Sequence, residues 1–139
     1  MTSKKQSHFD WRVRVYYEDT DAGGIVYYAN YLRFFERART EWLRALGVSH
    51  RDLAREEGLQ FVVRSLVVDY RLPARLDDDL MLSLTNLKTR GASLLIEQNA
   101  CRAGSEDILV SAQVRIASVR CADGSPVGMP KWLVKRVTE

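Results

Sequence analysis

Val15-Tyr16-Tyr17-Glu18-Asp19-Thr20-Asp21-Ala22-Gly23-Gly24-Ile25-Val26-Tyr27-Tyr28-Ala29-Asn30-Tyr31 joins the end of a strand to a long helix through a turn of carboxylates and glycines. Asp21 stands beside Gly23 and Gly24, which carry no Cβ bulk. The helix that follows points its unpaired N–H groups, with their partial positive charge, back toward the turn. An ionisable carboxylate and an anion-stabilising helix end therefore meet at one place in the chain.

Upstream, Trp11-Arg12-Val13-Arg14-Val15-Tyr16 alternates apolar and basic residues, the period of a half-buried strand. Downstream, over 28–46, the period changes. Tyr31, Phe34, Phe35, Ala38, Trp42, Ala45 and Leu46 fall on one helical face, Arg33, Arg37, Glu41 and Arg44 fall elsewhere, and Gly47 supplies the stop. A helix of roughly five turns with that load of aromatic side chains needs a broad cover, and a sheet provides one.

Ser49-His50-Arg51-Asp52 then reads as an N-cap, and 52–57 as a short polar helix ended by Gly58. Strand patterns dominate the rest: 60–71, broken at Pro73, then 80–88, 93–102 and 108–121. Turns are expected at Asp77-Asp78-Asp79, Arg90-Gly91 and Gly104-Ser105-Glu106-Asp107. Short turns predict an antiparallel meander, and 131–137 reads as a last short helix or strand. The expected class is α+β, a curved antiparallel sheet wrapped around one long central helix. No repeat or low-complexity linker divides the chain, so 1–139 reads as one domain with 1–9 a flexible N-terminal segment. The edges of such a sheet favour pairing with a second copy, hence a homo-oligomer.

A chain of 139 residues can bury a core, removing roughly 68% of the surface its unfolded form exposes. Its 46% hydrophobic and 28% charged residues, of mixed sign, are those of a globular protein rather than a disordered one. The net charge of +3 comes without a Lys/Arg stripe interleaved with aromatics, so a nucleic-acid partner is not expected, while an anionic small molecule is attracted. Cys101 and Cys121 stand far apart with no Cys-x-x-Cys and no His at ligand spacing, which argues against a metal site and suits a reducing cytoplasm. The first residues, Met1 to His8, lack the apolar stretch of a signal peptide, and no run approaches the ~20 apolar residues of a membrane span. A cytoplasmic location follows as the expectation.

The segment from Tyr16 to Tyr31, together with Glu36-Arg37-Ala38-Arg39, resembles the signature of hotdog-fold acyl-CoA thioesterases. The likeness is to the Tol-Pal system-associated members and also to the bacterial 4-hydroxybenzoyl-CoA thioesterases. It extends through Pro73-Ala74-Arg75-Leu76-Asp77-Asp78 and Arg90-Gly91-Ala92-Ser93-Leu94. The resemblance implies hydrolysis of acyl-CoA to free coenzyme A and a carboxylic acid, with Asp21 as catalytic carboxylate and the backbone N–H of Tyr28 polarising the thioester carbonyl. Tol-Pal-associated members usually carry His where this chain has Tyr28, as the 4-hydroxybenzoyl-CoA type does. The resemblance further implies substrate-binding roles for Gly24, Val26, Arg90 and Ser93, to which Lys88 is added for its charge near the same turn, and a site at a subunit interface of a dimer or a dimer-of-dimers tetramer. An acyl carrier protein is a further partner it allows. No cofactor is expected, coenzyme A being part of the substrate.

Thioester hydrolysis needs a nucleophile, a proton acceptor and charge stabilisation at the carbonyl oxygen. Asp21 either attacks to give a mixed anhydride or takes a proton from water; the residues leave both open. Tyr27 and Tyr31 would raise its pKa and the helix end would lower it. Composition alone reads Asp19 to Gly24 as a solvated capping turn, and the family likeness reverses that reading. A calcium loop fails at Gly23 and Asn30, which occupy ligand positions. A serine hydrolase lacks Gly-x-Ser-x-Gly and has only His8 and His50 to draw on, both expected at the surface. Lys88, Arg90 and Ser93, with Lys131, Lys135 and Arg136 in the tail, are candidates for coenzyme A phosphates, and Leu59-Gln60-Phe61-Val62-Val63 for an acyl channel, set against ordinary solvated and core roles. An aryl-CoA substrate is the competing reading within the enzyme class. A non-catalytic acyl-CoA or acyl-carrier binding module in an envelope-lipid complex is the rival outside it.

Overall fold

The computed structural model describes residues 7–139. Its elements run β1 (His8–Arg14), α1 (Asn30–Ala45), α2 (His50–Asp52), which widens into a looser helical turn at Leu53–Glu57, β2 (Leu59–Tyr70), β3 (Asp79–Arg90), β4 (Ser93–Arg102), β5 (Ile108–Arg120) and α3 (Lys131–Thr138). The five strands form one antiparallel sheet in the order β1-β3-β4-β5-β2.

Alternation along β3, β4 and β5 makes one face of this sheet apolar. Leu80, Leu82 and Leu84 of β3, Leu94, Ile96 and Ala100 of β4, and Val110, Ala112, Val114 and Ile116 of β5 are all buried. Register keeps them in rows across the sheet; one row runs Phe9, Leu84, Gln98, Ala112, Val68. Against this face lies α1, which buries Tyr31, Phe34, Phe35, Ala38, Trp42 and Leu43. Ala45, expected on the apolar side, is exposed, and Leu43 takes its place in the core.

Two polar contacts fix the helix on the sheet. Gln98, fully buried on β4, donates from Nε2 to the Phe35 carbonyl at 3.0 Å and accepts from Arg39 Nη1 at 2.9 Å. Trp42 Nε1 donates to the buried Ser7 Oγ at 3.1 Å, which ties the residue before β1 to the helix. Of the segment 1–9 expected to be flexible, 1–6 lie outside the described residues, whereas His8 and Phe9 belong to β1.

The expected meander holds only for β3, β4 and β5. Strand β2 pairs with β5 at the far edge, and 71–78 carry the chain back across to β3. The reason is that β3 has two edges and both are taken, by β1 and by β4. The tail resolves to helix, with Leu133 and Val137 buried. A Phe34→Ala substitution removes a fully buried aromatic ring from the apolar face of α1; unfolding in urea should show a loss of about 3–5 kcal/mol.

Candidate active site

Between β1 and α1 the chain makes one turn of 3-10 helix, Tyr17–Asp19, and then a small closed loop. Thr20 and Val26 form a bridge, the Asp21 N–H donates to the Ile25 carbonyl at 2.9 Å and the Gly24 N–H to the Asp21 carbonyl at 3.1 Å. The loop is bound to the 71–78 crossover: the Val26 N–H donates to the Ala74 carbonyl at 2.8 Å, and the Leu76 N–H to the Gly24 carbonyl at 3.1 Å. Gly24 holds φ +79°, which a side chain would strain. A Cβ at Gly23 would meet Asp21 Oδ1 at 3.3 Å, so glycine lets the loop close on that carboxylate.

The two aspartates of the loop have different fates. Asp19 is buried; its Oδ2 accepts from the Tyr16 N–H and its Oδ1 from Asn30 Nδ2, both at 2.8 Å. It clamps the loop to the first residue of α1, a structural role that the sequence reading did not assign to it. Asp21 is exposed. Its Oδ1 accepts from the Gly23 N–H at 2.8 Å, and among the described residues no donor reaches the other oxygen. It lines a hollow of about 250 Å³ with Tyr27, Asn30 and Arg33 at the N-terminal end of α1.

Tyr28 precedes the helix by two residues. Among the described residues its backbone N–H, like that of Ala29, has no acceptor, while its carbonyl accepts from the Tyr70 hydroxyl at 3.0 Å. The phenol is 62% exposed, with its ring edge-on to Tyr70. Tyr31, expected to bear on the Asp21 carboxylate, instead points into the core, where its hydroxyl accepts from the Ala74 N–H and burial pushes its pKa up.

Other expected site residues fall elsewhere. Gly24 is in the loop, as described. Val26 has its side chain buried in the core and its N–H bonded to the Ala74 carbonyl, so within one chain it shapes the loop. Lys88, Arg90 and Ser93 cluster at the β3–β4 hairpin. The Asp21 loop adjoins the opposite end of β3, through the Ile25–Arg75 bridge and the Asp77 N–H bond to the Val15 carbonyl. Eleven residue steps separate the two ends, roughly 36 Å of strand. In one chain these residues do not meet Asp21. Arg136 in the tail caps α1, donating to the Leu46 carbonyl at 3.2 Å and lying 5.3 Å above the Trp132 ring.

A second, larger cavity of about 430 Å³ opens between α1, α2 and the inner face of β2, β4 and β5. Leu59 and Phe61, read as possible channel residues, line it with Ile96 and Ile116, and Glu36, Arg39 and His50 supply polar groups. Burial lowers the Arg39 pKa, opposed by the nearby Glu36 carboxylate. Burial and the Arg44 and Arg39 cations lower that of His50, again against Glu36. The channel reading of Leu59 to Val63 pointed to this cavity's wall, whereas Arg39 entered the sequence reading only within the Glu36-Arg37-Ala38-Arg39 motif, with no role assigned to it.

A sheet wrapped around one helix, with a carboxylate loop clamped to that helix's start, defines a hotdog protein of the thioesterase type. The chain belongs to the thioesterase-like superfamily, whose family model matches residues 15–137. It is 48% identical over 123 residues to the acyl-CoA thioesterase YbgC of Haemophilus influenzae, covering 88% of this chain and 89% of that one. It is 45% identical to the acyl-CoA thioester hydrolase YbgC of Escherichia coli O157:H7, covering 91% and 92%. A crystal structure of a probable thioesterase from Bartonella henselae superposes with a TM-score of 0.83 at 38% identity, over 89% of this chain and 100% of that one. A 1,4-dihydroxy-2-naphthoyl-CoA thioesterase from Synechocystis, 21% identical over 94% of this chain and 96% of that one with a TM-score of 0.87, shares the fold.

Removing the Asp19 carboxylate leaves the Asn30 amide and the Tyr16 N–H without acceptors. Asp19→Ala should destabilise the protein by about 1–3 kcal/mol in thermal or urea unfolding, against little change for Glu18→Ala on the exposed side of the same turn.

Proposed function

We propose that this protein is an acyl-CoA thioesterase in which Asp21 is the catalytic carboxylate and the Tyr28 N–H the oxyanion donor. The observation that carries the reading is the free oxygen of Asp21 in a hollow at the start of α1, with an unspent backbone donor at Tyr28. The acyl-CoA thioesterase names of relatives at 45–48% identity support the substrate class. Asp21 supplies the nucleophile or the general base, and the donor stabilises the charge developing on the carbonyl oxygen. The reaction in this reading needs no cofactor.

The site is completed by a second copy. Strand β2 is an edge, long and apolar, with Val62, Val63 and Val67 exposed. Its Leu59 end lies beside the β3–β4 hairpin, through the Phe61–Ser118 pair and the Ser118 N–H bond to the Ala92 carbonyl. Its Tyr70 end lies beside Tyr28. Antiparallel pairing of β2 with its own copy sets one chain's Leu59 end against the other's Tyr70 end. Lys88, Arg90 and Ser93 of one protomer then approach the Asp21 loop of its partner, ready for the coenzyme A phosphates. A dimer, or a tetramer of two such dimers, acting in the cytoplasm alongside the Tol-Pal envelope system is the assembly and setting that the sequence likeness supports, with acyl carrier protein a further partner.

Thiol release from a panel of aliphatic and aryl coenzyme A thioesters tests the chemistry. Asp21→Asn should lose at least ~10²-fold in kcat/KM with its fold intact, while Tyr28→Phe keeps most activity because the backbone donates. Binding of the thioesters without thiol release by either protein would instead make this a binding module. Sedimentation equilibrium should return a mass of at least two chains; a fully active monomer would overturn the shared site.

A further inference from the structure

The cavity between α1, α2 and β2 is not uniformly apolar. Its volume of about 430 Å³ lies in the size range of small-molecule sites, roughly 300–1,000 Å³. Leu59, Phe61, Ile96 and Ile116 give it hydrocarbon walls, and into that wall Arg39 is set. The guanidinium is withdrawn from solvent far enough for burial to lower its pKa. Its one described side-chain partner is the neutral Gln98 Oε1, and no carboxylate lies within ion-pair distance among the described residues. Glu36, one turn earlier, is exposed and only partly offsets that desolvation. His50 at the mouth is held toward its neutral form by burial and by the Arg44 and Arg39 cations. Desolvating a cation without a counterion is costly, and an anion delivered by a ligand relieves it.

Position along α1 connects this cation to the Asp21 hollow. Arg33 lines the hollow, and Glu36 and Thr40 line the cavity. At 100° per residue Glu36 and Thr40 lie within about 60° of Arg33, and Arg39 lies about 60° beyond Glu36 and about 9 Å of rise from Arg33, so the cavity is the next space round the helix from the hollow. An acyl group whose thioester sits at Asp21 passes Glu36 and turns toward Arg39.

We propose that the acyl group this protein accepts ends in a carboxylate, which pairs with Arg39 while the methylenes lie against the apolar walls. The favoured substrates are thus coenzyme A monothioesters of dicarboxylic acids. This rests on the thioesterase reading above, and it goes beyond it by naming the far end of the substrate. Beyond the bond to Gln98 the guanidinium has donors to offer a carboxylate, which a methyl-ended chain leaves unmet.

The test compares coenzyme A thioesters of equal chain length ending in carboxylate or in methyl. For the unaltered protein kcat/KM should favour the carboxylate-ended member by at least tenfold. Arg39→Met should bring that ratio toward one, and Arg39→Lys should retain part of it. Equal rates for both ends in the unaltered protein, or a ratio that survives Arg39→Met, would overturn the proposal. Calorimetric binding of the free dicarboxylic and monocarboxylic acids decides the matter independently of turnover. A preference for the diacid that Arg39→Met abolishes supports the Arg39 site even when no thioester is cleaved, in which case the hydrolase reading alone fails. The absence of any such preference in the unaltered protein sinks the Arg39 site whatever the enzyme hydrolyses.

Discussion

The aromatic face of α1 buried against the concave sheet is the contact on which the rest depends. Phe34, Phe35 and Trp42 have no other place to go, and the inward residues of β3, β4 and β5 offer the area they need. Because packing of this kind has no direction of its own, polar contacts fix the helix's seating. The Gln98 amide grips the Phe35 carbonyl at mid-helix, and the Asp19 carboxylate grips Asn30 at its start. Both are buried, where a broken hydrogen bond is expensive. Together they hold the helix start against the Asp21 loop.

Division of labour between two aspartates two residues apart follows from burial. Asp19 faces the interior and spends both oxygens on fixed donors, so its carboxylate serves geometry. Asp21 lies on the outer side of the same turn, with one oxygen spent on the Gly23 N–H and the other free. In the proposed role of Asp21, a carboxylate held on a self-closed loop would lose little freedom when a substrate arrives, which is the physical advantage of such a place next to a helix start.

Seen from the sheet, the molecule is lopsided. One end of β3 carries the Asp21 loop and the crossover, and the other carries the hairpin with Lys88, Arg90 and Ser93. Within one chain the length of β3 keeps the two apart. In the proposed dimer a two-fold relation through the β2 edge would bring them together, because antiparallel pairing reverses one copy against the other.

Much of this was legible in the amino-acid sequence. Alternation at Ser93 to Arg102 and the helical period from Tyr31 to Trp42 are local properties of the chain, and the carboxylate-glycine turn is written in adjacent residues. Strand order was not, since the choice of β5 over β3 as the partner of β2 depends on which edges other strands have already taken. The clamp at Asp19, the burial of Val26 and the lining of a cavity by Arg39 were hidden for a related reason. Each depends on atoms tens of residues away, such as Ala74 and Gln98, that only the closed sheet brings near. Sequence by itself determined the elements and the carboxylate-glycine turn, because propensity and periodicity act over a few residues. Tertiary structure alone decided which carboxylate is buried and which cation faces the cavity, because desolvation is a property of the packed whole.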